Sequence, residues 1–340
     1  MKKVKIFGLG VKNIAFDPNS AANRDNCMLP MRLLKNKLGA LGFELQTADM
    51  VNESDSVFEI HIDAKIVQNR SRAKKFLIKL ETPLIVLTGS DKEVLDSFDR
   101  VFSWDQNSLT STPVTHIFFA QELTLPICDG FANRTKFSCM ISGNKTAAKF
   151  DRRALYSERI KSIRWLEKNA PGSFDLYGQG WNTPAMRYGK VWRLLTKIQG
   201  KLYSALGHTP FPSYRGRVES KVAVLKNYKY CFCYENATGF DDYVTEKIFD
   251  CFFAGCIPIY WGAPNITDII PANCFIDRRK FENHDQLHEA LKRISEEEYI
   301  EYQKNIINFL KSDSALPFSA EHFSEVVAKN IAKDIGISFE

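Results

Sequence analysis

Tyr228–Pro264 reads YKYCFCYENATGFDDYVTEKIFDCFFAGCIPIYWGAP, and its pattern is strand, polar loop, helix, strand. Tyr230–Tyr234 is a nearly unbroken apolar run, as expected of a strand covered on both faces. The loop Glu235–Tyr243 is rich in Asn, Gly and Asp. Thr245 stands at the N-cap position of a helix that Gly255 closes. Ile257–Trp261 follows as a second buried strand. The unit is βαβ, and its polar loop lies at the carboxyl end of a strand, where open parallel sheets bind ligands. Glu235, Asn236, Tyr243, Glu246 and Lys247 fall on that rim. A lysine in the first turn of a helix suits a phosphate.

Outward from this unit the chain alternates strands and helices. Val4–Phe7 reads as a first strand. A helix carrying Leu33, Leu34, Leu38 and Leu41 follows and closes at Gly42, and Phe43–Thr47 resumes as a strand. Val57–Ile62, Phe76–Leu80 and Val101–Trp104 are further strands, with helical sequence near Asn69–Lys75. A second series starts at Phe137–Ser142 with the loop Gly143-Asn144-Lys145, then a helix over Leu155–Lys168 and a strand at Phe174–Tyr177. This is a doubly wound α/β pattern in two halves. The expected division is 1–132, 133–316 and a C-terminal helical segment 317–340, with the break where Pro126, Gly130 and Asn133 interrupt the pattern. The helix expected at Ala320–Ile335 carries Phe323, Val326, Val327, Ile331 and Ile335 near one face.

Composition excludes several classes. The 340 residues are 44% hydrophobic, enough for two filled cores, and hold no apolar run of membrane-spanning length. Met1–Gly10 has no cleavage-site pattern and reads as a strand, so a cytoplasmic setting is expected. The eight cysteines sit mostly in apolar segments and read as buried thiols. There is no Cys-x-x-Cys, and the six histidines are scattered, so no metal site is expected. Gly8-Leu9-Gly10 lacks the third glycine of a dinucleotide loop, Asn13 standing in its place. That argues against a dehydrogenase.

The net charge of +6 is unevenly spread: Arg187–Arg217 holds seven basic residues, and no acid occurs between Asp175 and Glu219. Nucleic acid is not expected, because the block lacks a reading motif. Val191, Trp192, Leu195, Ile198, Leu202 and Leu206 interleave there with Lys190, Arg193, Lys197 and Lys201. Two readings stand: an ordinary helix packed on its domain, or an amphipathic helix lying on an anionic membrane. Gly200 interrupts the pattern.

Two carboxylates stand out. Glu235 ends a buried strand, where a charge is costly unless partnered. Glu81 ends the apolar Phe76–Leu80 strand just before Thr82-Pro83, as a structural carboxylate or a functional one. Asp241-Asp242 lacks a third ligand and reads as a solvated loop or a polar ligand contact.

Tyr234-Glu235-Asn236, Tyr243-Val244-Thr245-Glu246-Lys247-Ile248 and Ile257-Pro258-Ile259-Tyr260-Trp261-Gly262 together resemble the signature of the α1,3/α1,4-fucosyltransferases, glycosyltransferase family 10. The likeness extends to Phe174-Asp175-Leu176-Tyr177-Gly178, Gly180-Trp181 and Phe275-Ile276-Asp277. It runs from about Phe137 to Leu310, and the N-terminal half matches only in outline. The resemblance implies a GT-B fold, two Rossmann-like domains facing across a cleft. It also implies inverting transfer of L-fucose from GDP-fucose to an N-acetylglucosamine-type residue of a glycan, α1,3-linked, in lipopolysaccharide or another surface glycan. A transferase of another nucleotide-activated deoxysugar or amino-fucose is the alternative. Lys247 and Arg159 would contact the diphosphate, Glu246 the ribose hydroxyls, and Asn236 and Tyr243 the donor pocket. Asn144, Lys145 and Glu235 join the same donor-binding set. Glu81 takes the place of the general base, and no metal or cofactor is implied. Arg164 rivals Arg159, and the apolar Leu84–Leu87 departs from the family's polar loop after Glu81. Expected partners are GDP-fucose, a glycan acceptor and an anionic membrane at the inner face of the cytoplasmic membrane.

Such a site is chemically coherent. A nucleoside diphosphate leaving group gathers charge that fixed cations and helix-end amides stabilise. Arginine suits bidentate phosphate contact and lysine supplies a point charge. A carboxylate accepts both hydroxyls of a ribose diol. Inverting displacement needs a base for the acceptor proton, and a carboxylate from the opposite domain meets that need.

Overall fold

The alternation of apolar strands and amphipathic helices folds into two parallel sheets, each in its own unit, in a computed structural model that describes residues 1–52, 56–63, 73–87 and 89–339. In chain order the first unit contributes β1 (Lys2–Phe7), α1 (Leu29–Ala40), β2 (Phe43–Thr47), β3 (Ser56–Ile62), β4 (Lys74–Lys79), α2 (Lys92–Leu95), β5 (Arg100–Ser103) and β6 (Val114–His116). The second contributes β7 (Lys136–Ile141), α3 (Tyr156–Asn169), β8 (Phe174–Tyr177), α4 (Lys190–Ala205), α5 (Lys221–Leu225), β9 (Tyr228–Tyr234) and α6 (Glu246–Ala254). It continues with β10 (Ile257–Trp261), α7 (Ile266–Ile269), β11 (Ile276–Asp277), α8 (His284–Arg293) and α9 (Glu296–Lys311). The last helix, α10 (Ala320–Asp334), belongs to the first unit.

The first sheet has the order β2-β1-β3-β4-β5-β6. Phe76 and Ile78 of β4 point to one face, in a core with Val4, Ile6, Phe58 and Ile60, and Leu77 points to the other with Leu95, Phe98 and Val101. Both faces are covered, as a parallel sheet requires. Phe323, Val327 and Ile331 of α10 complete the first core beside Leu34 and Leu38 of α1. The chain therefore divides at Leu123/Thr124 and again at Ser312/Asp313, rather than after 132 and 316. The terminal helix is a core element of the first unit rather than an appendage, because its apolar face is what covers α1. Of the helix expected near Asn69–Lys75, residues 69–72 lie outside the described residues, and Lys74 and Lys75 open β4.

The second sheet has the order β11-β10-β9-β7-β8, with all pairs parallel. Strand order reverses between β7 and β9, so the crevice beyond their carboxyl ends is the topological switch point. β9 is buried along its length except at Lys229, as its composition predicts. Gly255 closes α6 in the left-handed conformation, φ 65°.

Candidate active site

Glu235 is the first residue past β9. Its N–H donates to the carbonyl of Trp261 at 2.8 Å, carrying the ladder one step beyond the strands. Its side chain is wholly buried. Oε1 accepts the Thr245 N–H at 2.9 Å, and Oε2 accepts the Thr245 hydroxyl at 2.8 Å and Lys247 Nζ at 2.9 Å. A carboxylate brought from a neighbouring strand thus serves the start of α6, and Thr245, at the N-cap position, makes no cap bond with its own hydroxyl. Gly262 allows this seating: a Cβ there would lie 2.5 Å from Glu235 Cγ and 2.3 Å from Tyr260 Oη.

From Glu235 an alternating chain of charges runs along the helix start. Lys247 Nζ lies 3.9 Å from Glu246 Oε1, which lies 3.5 Å from Lys221 Nζ, and Lys221 bonds Asp250 at 2.6 Å. Burial opposes the charge on Lys247, but Glu235 and Glu246 outweigh it and lift its pKa above the ordinary lysine value. Burial also opposes ionised Glu246, and Lys247 and Lys221 overcome it and hold its pKa down at about 2. Lys221 is raised in the same way, burial being outweighed by Glu246 and Asp250.

The signs set the pH window. Glu246, depressed, contributes stability fully above its ordinary value of 4.5, lost as pH falls toward 2. Lys247, raised, contributes fully below its ordinary 10.5, lost only as pH climbs beyond it. The charge that this cluster offers a diphosphate ester should therefore be constant between about pH 5.5 and 9, and the affinity of such a ligand should change less than about threefold over that range. Calorimetric titration checks this, and a binding transition centred near neutrality would exclude this pair as the groups that set the charge.

Arg159 projects from the first turn of α3 and is 4% exposed. Its Nη2 donates to the Tyr234 carbonyl at 2.6 Å and to Asn236 Oδ1 at 3.1 Å, and the guanidinium lies over the Tyr156 ring. Burial lowers its pKa, against the opposing pull of Tyr156 and Glu235. Among the described residues, Nε and Nη1 have no hydrogen-bond partner in the protein. Nε and Nη1 lie on opposite edges of the guanidinium, and Nη2, which both edges share, is committed to Tyr234 and Asn236. Asn236 in turn donates to Tyr243 Oη at 3.4 Å, and Tyr243 is buried. Arg164 is committed elsewhere: Nη1 donates to Glu167 and to the Pro210 carbonyl, both at 2.8 Å, and the group stacks on Phe211.

The structure thus gathers Arg159, Asn236, Tyr243, Glu246 and Lys247 at the switch point, with Glu235 beneath them. Two of the expected donor contacts are engaged within the chain. Glu235 offers no open face and acts as a positioning residue for Lys247 and α6. Asn144 is a loop tie: Nδ2 donates to the carbonyls of Gly180, Thr183 and Pro184, and Oδ1 accepts the Met186 N–H. With both ends so occupied it has little left for a ligand. Lys145, beside it, is exposed and makes no ion pair among the described residues. Asp242 is likewise clasped by Asn265. Lys221 was missed by sequence reasoning, since nothing in the helix start Ser220-Lys221 marks its partners, 25 and 29 residues on.

In the first unit, Glu81 is half-buried at the carboxyl end of β4. Its N–H and that of Leu80 both donate to Asp63 Oδ1, at 2.9 and 2.7 Å. The Leu80 carbonyl accepts Trp104 Nε1 at 2.7 Å. Burial raises the Asp63 pKa against those amide bonds. Asp63 itself adopts φ 47° and was not singled out from sequence. Leu84 and Val86 turn inward and are buried, which accounts for the apolar character of the segment after Glu81.

Residues 154–309 match the family model described as glycosyltransferase family 10 (fucosyltransferase), C-terminal region. The chain resembles glycosyltransferase family 10. An α1,3-fucosyltransferase (FucT) of Helicobacter pylori is 39% identical over 75 residues, 22% of this chain and 16% of the relative. A GDP-fucose protein O-fucosyltransferase 3 of Bos taurus is 34% identical over 96 residues, 26% of this chain and 20% of the relative. The matched stretch thus spans a fifth or less of those relatives' length. A crystal structure of an α1,3-fucosyltransferase with GDP-fucose superposes on 97% of this chain and 89% of its own, TM-score 0.50, at 16% identity. That likeness concerns the fold: two Rossmann-like units of the GT-B class. The region matched by that family model holds Arg159, Glu235, Asn236, Tyr243, Glu246 and Lys247, and leaves Glu81, Asn144 and Lys145 outside it.

Proposed function

We propose that this chain is an inverting fucosyltransferase that moves L-fucose from GDP-fucose to a hydroxyl of an N-acetylglucosamine-type residue in a glycan, with α1,3 linkage. The observation that carries the reading is the buried Arg159 guanidinium, bonded to Asn236, in one charge cluster with Lys247 and the α6 N-terminus. Two fixed cations and a helix start suit a diphosphate, and Glu246 beside them suits a ribose diol. In the reaction, the acceptor hydroxyl gives its proton to the Glu81 carboxylate as its oxygen bonds to C1 of fucose. The bond from C1 to the β-phosphate oxygen breaks on the opposite face. GDP leaves with the electron pair, and Arg159 and Lys247 stabilise its added charge.

No divalent ion is assigned a part. Among the described residues no group of three or more His, Cys, Asp or Glu is placed to hold one, and the cations at the site supply the charge that a metal would. Lipopolysaccharide or another surface glycan at the inner face of the cytoplasmic membrane is the context we propose, since an acceptor carried on lipid places the reaction there.

Incubation with GDP-fucose and a panel of galactosyl-N-acetylglucosamine glycans, read by mass spectrometry, tests the reading. We expect a deoxyhexose mass added to glycans with an open hydroxyl on N-acetylglucosamine, undiminished by prolonged chelation. Transfer abolished by chelator and restored by manganese would overturn the metal-free reading. Transfer only from another nucleotide-activated deoxysugar would overturn the choice of donor.

A further inference from the structure

α4 is turned the opposite way from an ordinary surface helix. Thr196, Gly200 and Tyr203 lie on the side that meets the rest of its unit, and Thr196 and Gly200 are buried. Arg193 reaches inward with them and donates to the Ala147 carbonyl at 3.1 Å. Gly200 permits the approach, since a Cβ there would stand 2.8 Å from Thr183 Cγ2. The apolar stripe is outside: Val191, Trp192, Leu194, Leu195, Ile198 and Leu202 are each between 46% and 68% exposed. At 100° per residue five of these form one continuous band, with Trp192 at its edge. Lys190, Lys197 and Lys201, all exposed, line one flank of it.

We propose that α4 is a membrane-docking helix, lying in the interface of an anionic bilayer with this band in the acyl boundary and its lysines among the headgroups. The inference is independent of which sugar the site transfers. A scattered exposed leucine needs no explanation, whereas a contiguous apolar band marks an interaction surface. Charge selects the occupant. No acid occurs between Asp175 and Glu219, so two copies packed band to band would bring rows of lysine together without a counter-charge. Anionic headgroups supply that counter-charge, and lysine stems can lie along the apolar surface with the ammonium in the headgroup layer. Spanning is a different matter: no described helix is long and apolar enough to cross a bilayer. At about 1.5 Å per residue, α4 would lie along roughly 24 Å of surface.

Co-sedimentation of the full chain with vesicles of phosphatidylcholine, alone or with phosphatidylglycerol, tests the proposal. We expect binding to the anionic vesicles only, released at about 0.5 M salt, with a blue shift of tryptophan emission that Trp192→Phe removes. The combined Lys190→Gln, Lys197→Gln and Lys201→Gln variant should lose about 100-fold in partitioning, each charge being worth roughly fivefold. Leu195→Asp with Leu202→Asp should abolish binding. These side chains face outward, so both variants should keep wild-type unfolding temperature and GDP-fucose affinity, and Arg193 is left intact because it holds the helix to its unit. Binding to neither vesicle at low salt, or equal binding to both, would overturn the proposal. So would a concentration-dependent dimer that Leu195→Asp dissociates, which would make the band an interface between copies.

Discussion

Glu81→Gln should leave GDP-fucose affinity and the unfolding midpoint at their wild-type values while turnover falls by about 100-fold or more, the scale of losing a general base. The substitution is nearly isosteric, and the backbone anchor of this residue does not involve its own carboxylate: Asp63 holds its N–H. Glutamine keeps the size of the side chain and one of its oxygens, so any change in stability should be small beside the loss of turnover. Asp63 supplies a second arm. Asp63→Ala removes the acceptor for two backbone amides and should lower turnover with donor affinity unchanged. Asp63→Asn keeps an oxygen in place and should restore much of it. Near-normal turnover in Glu81→Gln would move the base elsewhere and leave Glu81 a structural carboxylate.

What was legible in the sequence was whatever is written locally. The Tyr230–Tyr234 run, the Gly255 stop and the Ile257–Trp261 run are strand, cap and strand because apolar composition and a left-handed glycine act over a few residues. The pairing of β7 with β9 is not written there, and that pairing makes the switch point. Glu235 was correctly singled out as a buried carboxylate needing a partner. Its partners are Thr245 and Lys247, ten and twelve residues on, and they take both of its oxygens within the chain. Asn144 is tied at longer range, by carbonyls that come 36 to 40 residues later.

Direction is the other thing a sequence withholds. The α4 pattern shows that apolar and basic residues segregate, and Gly200 looked like a flaw in it. The fold shows which side is turned in, and there the glycine is the point of closest approach. For α10 the same ambiguity resolves the other way. Its apolar face is covered by α1, from the opposite end of the chain, with Lys37 paired to Glu325 at the edge. Composition distinguishes neither case, because both helices carry a leucine-, isoleucine- or valine-rich stripe beside lysines.

Arg159→Lys should weaken GDP-fucose binding at least tenfold, about 1.4 kcal/mol, and should also cost stability, because the buried Nη2 bonds to Tyr234 and Asn236 are lost. Lysine keeps the positive charge but not the planar set of donors, so the loss would report the guanidinium's geometry rather than the field. Lys247→Ala should weaken binding by at least as much, through loss of a charge-assisted phosphate contact. It should also lower stability, because it leaves the wholly buried Glu235 without its charged partner, a change that typically costs about 3–5 kcal/mol. Chemical denaturation and calorimetric titration with GDP-fucose separate the two effects. Adding Glu235→Gln to Lys247→Ala removes the stranded charge and should recover much of the stability while leaving affinity low. Unchanged affinity in both the Arg159 and Lys247 variants would end the diphosphate assignment. A loss of affinity in Lys247→Ala that returns with Glu235→Gln would make Lys247 a structural partner and leave Arg159 as the phosphate contact.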